Sequence, residues 1–297
     1  MDVREVVQRQ FGPVAAAYAT SSVQKGGPEL TAMLAVELRG DERVLDVASG
    51  AGHTALAFAP RVAEVVAVDV TEAMLATGRR LAEEQGIGNV TFQPGDAEAL
   101  PFADASFDLV TCRYAAHHFA HPTVAAREWA RVLKPRGSLL LADLVSPDNP
   151  AADTVLNAAE ILRDPSHVRD YRIAEWYTMF AAAGLAAETL GQWPLRLPFA
   201  SWTERMRTPA ATAVQIQALF AGARDSVRAV LALEPDGTFT CPVALLRGHH
   251  QDWQPHRRSR DQFDTKLSFR VVARNFSAAR PTIGLCRDPS FVGMTPC

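Results

Sequence analysis

The chain has 297 residues, 48% of them hydrophobic and 21% charged, and a formal net charge of −3. That composition is globular, and a chain of this length can bury a core without disulfides or metals. Four cysteines, Cys112, Cys241, Cys286 and Cys297, form no C-x-x-C pair, which argues against a secreted disulfide scaffold and against structural zinc.

No apolar run in the sequence reaches the length that spans a bilayer. Met1-Asp2-Val3-Arg4-Glu5 lacks the basic start and apolar centre of a signal peptide, so a cytoplasmic setting is expected. Up to residue 145, strand-like and helix-like runs alternate, the pattern of a parallel sheet wrapped by helices. Val44-Leu45-Asp46-Val47 is a strand opening a glycine-containing turn, with a helix over 53–60 after it. A second buried strand, 64–69, ends in Asp69. Thr71 is positioned to cap the next helix, whose inner face carries Met74, Leu75 and Leu81. Val90-Thr91-Phe92 is a third strand and 107–112 a fourth. Pro122 starts a helix that ends before a turn at 134–137, and 138–144 is the fifth strand.

Beyond Val145, Pro147, Pro150 and Pro165 punctuate helices near 151–163 and 173–183. A strand near 186–193 follows, then helical material around Trp202 and from Pro209 to Val230, and a last strand over 238–246. The stretch 146–235 is too long for a loop and is expected to cover one end of the sheet. From His249 the periodicity fades, with one strand expected at 269–272. Residues 249–297 hold seven Arg and one Lys against four Asp, a net of +4, which leaves −7 on the preceding body. An acidic body is a poor surface for nucleic acid, so no such partner is expected.

In an open α/β sheet, ligands bind at the carboxyl ends of strands where the strand order reverses. The first turn here reads Asp46-Val47-Ala48-Ser49-Gly50-Ala51-Gly52-His53. Gly50 and Gly52 let a ligand approach the backbone, and the helix behind them offers free N–H groups. Gly50-x-Gly52-x-x-Ala55 with Asp69 also fits the dinucleotide fingerprint. Asp46 separates the two readings, because a carboxylate ending the first strand repels a pyrophosphate. S-adenosylmethionine carries an ammonium and a sulfonium instead, and both favour a nearby acid. Asp69 would then accept from the ribose hydroxyls, and Asp96 at the third strand's end from the adenine amino group.

The runs VLDVASGAGHTALAFA, VVAVDVTEAML, GDAEALPFADASFDLVTCRYAAHHF and REWARVLKPRGSLLLAD resemble the successive motifs of class I methyltransferases, in particular the UbiE-type branch. LRDPSHVRDYRIAEWYTMF and SWTERMRTP resemble the YcgJ-like bacterial members. The resemblance spans about residues 10–247. It implies an α/β, Rossmann-like, doubly wound and mostly parallel seven-stranded sheet with an inserted, mainly helical cover. It divides the chain into a flap and first helix (1–40), a cofactor-binding core (41–145), the cover (146–235), the last sheet strand (236–248) and a tail (249–297) that matches nothing in the family. By position, Asp46, Gly50 and Gly52 would surround the methionine part of S-adenosylmethionine and Asp69 its ribose. Val70 and Met74 would pack near the adenine, with Asp96 and Ala97 at its edge. Ala48-Ser49 stands where the family commonly has Gly-Cys, in a turn that binds through backbone. Arg113 would lie where cofactor and substrate meet, and Tyr18 would be the aromatic of the flap.

His117 and His118 are the candidate general bases, since a neutral imidazole can take a proton as methyl transfer begins. Two adjacent histidines point apart and no carboxylate or cysteine completes a set with His121, so no metal is expected. His167, Arg163, Arg169 and Tyr171 are candidates for the substrate pocket. The aromatics Trp176, Tyr177, Phe180, Trp193, Phe199 and Trp202 line that pocket or form the cover's core. The acceptor is expected to be a small, aromatic or quinone-like molecule, with the chain a monomer or homodimer. A nicotinamide-dependent oxidoreductase and a non-catalytic cofactor-binding protein are the competing readings.

Overall fold

Short aliphatic runs become the strands of one sheet. A computed structural model describes residues 2–19 and 25–251. Its strands are Arg43–Val47 (β1), Glu64–Asp69 (β2), Val90–Pro94 (β3), Phe107–Arg113 (β4), Leu133–Leu144 (β5), Leu185–Leu197 (β6) and Phe239–His250 (β7). They stand in the order β3-β2-β1-β4-β5-β7-β6. β1 to β5 pair in parallel, and β7 runs antiparallel between β5 and β6. The chain steps outward from β1 to β3 and then returns to β4, so the order reverses between β1 and β4. The carboxyl ends of those two strands frame the crevice where such sheets take ligands.

Helices cover both faces, as continuous apolar strands require. Val3–Phe11 (α1), Ala15–Tyr18 (α2) and Pro28–Leu34 (α3) precede the sheet, and His53–Phe58 (α4) and Glu72–Glu84 (α5) follow β1 and β2. Met33, Phe58, Leu75 and Phe92 are buried on one face. On the other, Pro122–Val132 (α6) and Ile173–Ala182 (α8) bury Trp129, Trp176 and Phe180 against Phe107. Pro150–Arg163 (α7), Phe199–Arg205 (α9), Ala210–Ala221 (α10) and Asp225–Val230 (α11) share a third core around Leu156, Trp202, Phe220 and Phe239. Each fully buried side chain of this size contributes roughly 1.5–3 kcal/mol.

Four local expectations change. The turn at 134–137 is an irregularity inside β5, where the pairs Phe107↔Leu133 and Leu109↔Ser138 leave four residues bulged out. Only glycine suits position 137, because a Cβ there would sit 2.8 Å from the Asp108 carbonyl oxygen. The strand near 186–193 runs on to Leu197 and belongs to the sheet itself, at an edge where Pro194 is tolerated. The Thr71 side chain makes no capping hydrogen bond to α5; the Asp69 carboxylate accepts from the Thr71 N–H at 2.8 Å instead. β7 continues two residues past Gly248, pairing His249 with Ala186 and His250 with Leu185. Among the described residues no helix is long and apolar enough to cross a membrane. The strand expected at 269–272, Cys286, Cys297 and the basic tail from 252 lie outside the described residues.

Candidate active site

The turn after β1 is wound by three residues in the left-handed region, Ala48 (φ 53°), Gly50 (φ 53°) and Gly52 (φ 79°). The two glycines serve different ends. No heavy atom lies within 4 Å of the point a Cβ would occupy on Gly50, so the backbone there faces open space. A Cβ on Gly52 would stand 2.5 Å from the Phe92 ring, which makes Gly52 a packing residue. The Gly50 N–H donates to Asp69 at 2.8 Å, tying the turn to the end of β2.

A cavity of about 530 Å³ opens at these strand ends. Tyr18, Asp46, Ala48, Gly50, Asp69, Val70, Met74, Asp96 and Ala97 all line it, whereas Gly52 does not. Asp46 is 1% exposed and accepts from the Thr111 hydroxyl (2.8 Å) and the Ala55 N–H (3.1 Å). Burial pushes its carboxyl up to about 7 against those two hydrogen bonds. Burial also raises Asp69 above the usual carboxylate range. One face of α1 forms another wall. From it Arg4 reaches Asp96 (2.6 Å), Gln8 donates to the Val70 carbonyl (2.7 Å), and Phe11 meets the His118 ring edge-on at 5.1 Å.

The two histidines differ sharply. His117 Nδ1 lies 2.7 Å from Asp143 Oδ1, and the His117 N–H also donates to that carboxylate at 3.2 Å. Burial opposes the imidazolium, yet the charge and hydrogen bond of Asp143, with Asp170 and Glu160 behind, hold His117 up at about 9. His118 Nδ1 lies 3.0 Å from the Ser166 carbonyl oxygen. A carbonyl can only accept, so Nδ1 carries the hydrogen and Nε2 keeps its lone pair. Burial and the neighbouring His117 charge both lower the basicity of His118. Next to the sheet, then, stand a cation fixed by a carboxylate and a neutral ring with an unprotonated nitrogen.

Comparison with known proteins bears on this geometry. Residues 45–141 match the methyltransferase domain family. The uncharacterized methyltransferase YcgJ of Bacillus subtilis strain 168 is 45% identical over 244 residues, spanning 80% of this chain and 96% of its own. Its crystal structure superposes with a TM-score of 0.73 at 43% identity, over 76% of this chain and 99% of that one. The chain is a class I S-adenosylmethionine-dependent methyltransferase. The ubiquinone/menaquinone biosynthesis C-methyltransferase UbiE of Ectopseudomonas mendocina is 41% identical over 155 residues, 49% of this chain and 60% of its own. The methyl donor is therefore S-adenosylmethionine, the ligand that Asp46 favours over a dinucleotide at the first turn.

Not every expected residue reaches the methyltransferase's cavity. Arg113 borders it, but its side chain is 2% exposed and paired with Glu29 at 3.2 Å, pinning α3 to the end of β4. Removing either partner would leave the other charge buried, a loss of about 3–5 kcal/mol. His167, Arg169 and Tyr171 do not line the cavity. His167 packs 5.5 Å from the His117 ring with Nε2 at 3.3 Å from Asn157, Arg169 pairs with Asp153, and Tyr171 lies against Trp176. Of the six aromatics only Trp202 faces the cavity. Among the described residues no three His, Cys, Asp or Glu side chains are grouped to hold a metal.

Other residues of the site carry weaker sequence signals. Asp143 does not line the cavity but holds His117, which does. It stands next to last in β5 as Asp46 does in β1, so the strand-end rule that marks Asp46 and Asp69 reaches it too. Glu160, Arg163 and Asp164 close α7 over the cavity, and Arg205 faces it from α9. Arg163 is the one of the four cover-segment pocket candidates that lines the cavity; nothing in the local pattern separates Glu160, Asp164 and Arg205 from a solvated helix end.

Proposed function

We propose that the enzyme transfers the methyl group of S-adenosylmethionine to a small aromatic or quinone-like acceptor, with His118 Nε2 taking the acceptor's proton. The observation that carries this reading is the tautomer of His118, fixed by the Ser166 carbonyl on a ring that lines the cavity. The donor's seat is supported by the chemistry of the turn. Asp46 offers a carboxylate to a cation, Asp69 offers one to ribose hydroxyls, and open space stands where a side chain on Gly50 would intrude. The Ser49 hydroxyl is a buried polar atom with no partner among the described residues, in keeping with a ligand that supplies one. Asp96 would meet the adenine edge with Ala97, Val70 and Met74 beside it, and Tyr18 would close the seat.

Bound there, S-adenosylmethionine supplies a methyl group already activated on a sulfonium. The chain's own contribution is alignment and exclusion of water, which can be worth about 7–11 kcal/mol. Phe11, Tyr18 and Trp202 give the acceptor side apolar walls suited to an aromatic ring. His118 is neutral at pH 7 because burial and His117 disfavour its cation, so it is ready to accept a proton. Arg113, held by Glu29, serves to position the end of β4.

The test combines a screen of phenols and hydroquinones, read by S-adenosylhomocysteine release, with two variants. Asp69→Ala should abolish S-adenosylhomocysteine binding in calorimetry. His118→Gln should keep that binding and lose roughly 10²–10⁴-fold in kcat. Normal binding by Asp69→Ala would overturn the donor's seat, and full turnover by His118→Gln would overturn the base.

A further inference from the structure

The acceptor's polar groups can be read from one side chain on the cavity wall. Arg205 closes α9 and borders the cavity. Its guanidinium makes no hydrogen bond or ion pair with any described residue. The other buried or half-buried arginines of the region are matched. Arg113 pairs with Glu29, Arg169 with Asp153, and Arg163 with Glu160 at 3.0 Å, the last also lying over the Trp202 ring at 4.8 Å. Burial and the Arg163 charge hold Arg205 below the ordinary arginine range, with Tyr18 and Glu160 acting the other way. An arginine stays charged even so. A charge drawn out of water without a counter-ion is costly, and a docking anion relieves that cost.

The nearby acids do not fill this role. Glu160 is taken by Arg163. Asp164 accepts from the Ser166 N–H (2.9 Å) and hydroxyl (2.6 Å), and its other oxygen is sealed from solvent. Among the charged residues at this part of the wall, Arg205 is therefore the cation to which no described carboxylate is committed. From there the wall is aromatic. Tyr18 lies in the field of Arg163 and Arg205, Phe11 touches Tyr18 edge-on at 5.8 Å, and His118 follows at 5.1 Å from Phe11.

We propose that Arg205 recognises a carboxylate on the acceptor, so that the substrate is an aromatic acid whose anion and methyl-accepting atom sit at opposite ends of an extended ring system. This rests on the acceptor reading above. The planar guanidinium matches a carboxylate with two parallel N–H donors, which a neutral amide cannot reproduce. Arg205 is thus a specificity-determining residue, separate from the donor's seat and from the base.

The test uses the full chain saturated with S-adenosylhomocysteine and two probes of one shape, 6-hydroxy-2-naphthoate and 6-hydroxy-2-naphthamide. Titration calorimetry should find the acid bound at least tenfold more tightly than the amide. Arg205→Gln should bring the acid down to the amide's affinity while leaving S-adenosylhomocysteine binding unchanged, and Arg205→Lys should keep part of the preference. Equal affinities in the unaltered enzyme, binding of neither probe, or a preference that survives Arg205→Gln would each overturn the assignment. Turnover of both phenols alike, read with S-adenosylmethionine, would uphold the aromatic-acceptor reading while overturning the role of Arg205. Turnover of neither would count against the acceptor reading itself. Should Arg205→Gln lose S-adenosylhomocysteine binding through misfolding, the acid-to-amide ratio of the unaltered enzyme and Arg205→Lys decide.

Discussion

His117 and His118 are chain neighbours with opposite chemistry, and the difference comes from residues far along the sequence. Asp143, 26 positions away, holds His117 as a cation. Ser166, in the cover, fixes the tautomer of His118. The folded pKa of His117 is about 9 against an ordinary 6.5, so its pairing adds stability that is complete below pH 6.5 and disappears as pH rises through about 9. The shift corresponds to something on the order of 3 kcal/mol. Asp143→Asn should therefore be less stable at pH 7.5 and lose less on going to about pH 9.5, measured by urea unfolding at both pH values. An unchanged slope would show that another group sets the alkaline limb. The histidine pair was legible as a candidate site from its distance past β4, but the division of labour was not. That division depends on which side chains the sheet and the cover bring within 3 Å, and no local pattern records it.

Elements recur where a single contact fixes their approach. Phe92 of β3 is wedged between two glycines, since a Cβ on Gly52 or on Gly78 would stand 2.5 Å or 2.4 Å from its ring. Gly78 lies in mid-helix on α5, where alanine would gain about 1 kcal/mol from helix propensity. Overpacking a close contact costs about 1–3 kcal/mol, so the steric loss wins. Gly78→Ala should lower stability by about 1 kcal/mol, and the same change in a Phe92→Leu background should be neutral or stabilising. Thermal melts of the four proteins in this cycle measure the coupling, and additive effects would refute it. At this scale the sequence reads well where periodicity speaks, as in β1, β2, β4 and α5. It reads poorly where pairing overrides it. β6 passes through Pro194 because an edge strand tolerates proline, and Lys134-Pro135-Arg136-Gly137 bulges within β5 because its neighbours on both sides remain paired with β4. The stretch from Pro209 to Val230 divides into α10 and α11 on either side of Gly222, a break that the apolar pattern does not mark.

The whole molecule joins a sheet that is parallel on one side to a cover that returns to it through β6 and β7. The last sheet strand is therefore a long-range element, and where it ends bears on how much of the chain the catalytic unit needs. His249 and His250 pair with Ala186 and Leu185, the Gln251 N–H donates to the Gly184 carbonyl at 3.3 Å, and His250 Nε2 lies 3.3 Å from the Leu133 carbonyl. YcgJ is matched over 96% of its own length by 80% of this chain. From this pairing at the end of β7 we expect the fold to require the chain as far as Gln251, three residues beyond the boundary at 248 that the family resemblance implies. A chain ending at Gln251 should melt with the full-length protein and bind S-adenosylhomocysteine equally, although its net charge moves from −3 to −7. A chain ending at Gly248 loses the edge contacts, each worth about 1 kcal/mol, and should melt roughly 5 °C lower. Calorimetric scans of the three lengths separate the cases. Equal melting of the two shortened chains would mean that the end of β7 adds nothing to the sheet. A full-length protein that melts well above both would mean that residues 252–297 support the fold, and the acidic body could then no longer be treated as a complete catalytic unit.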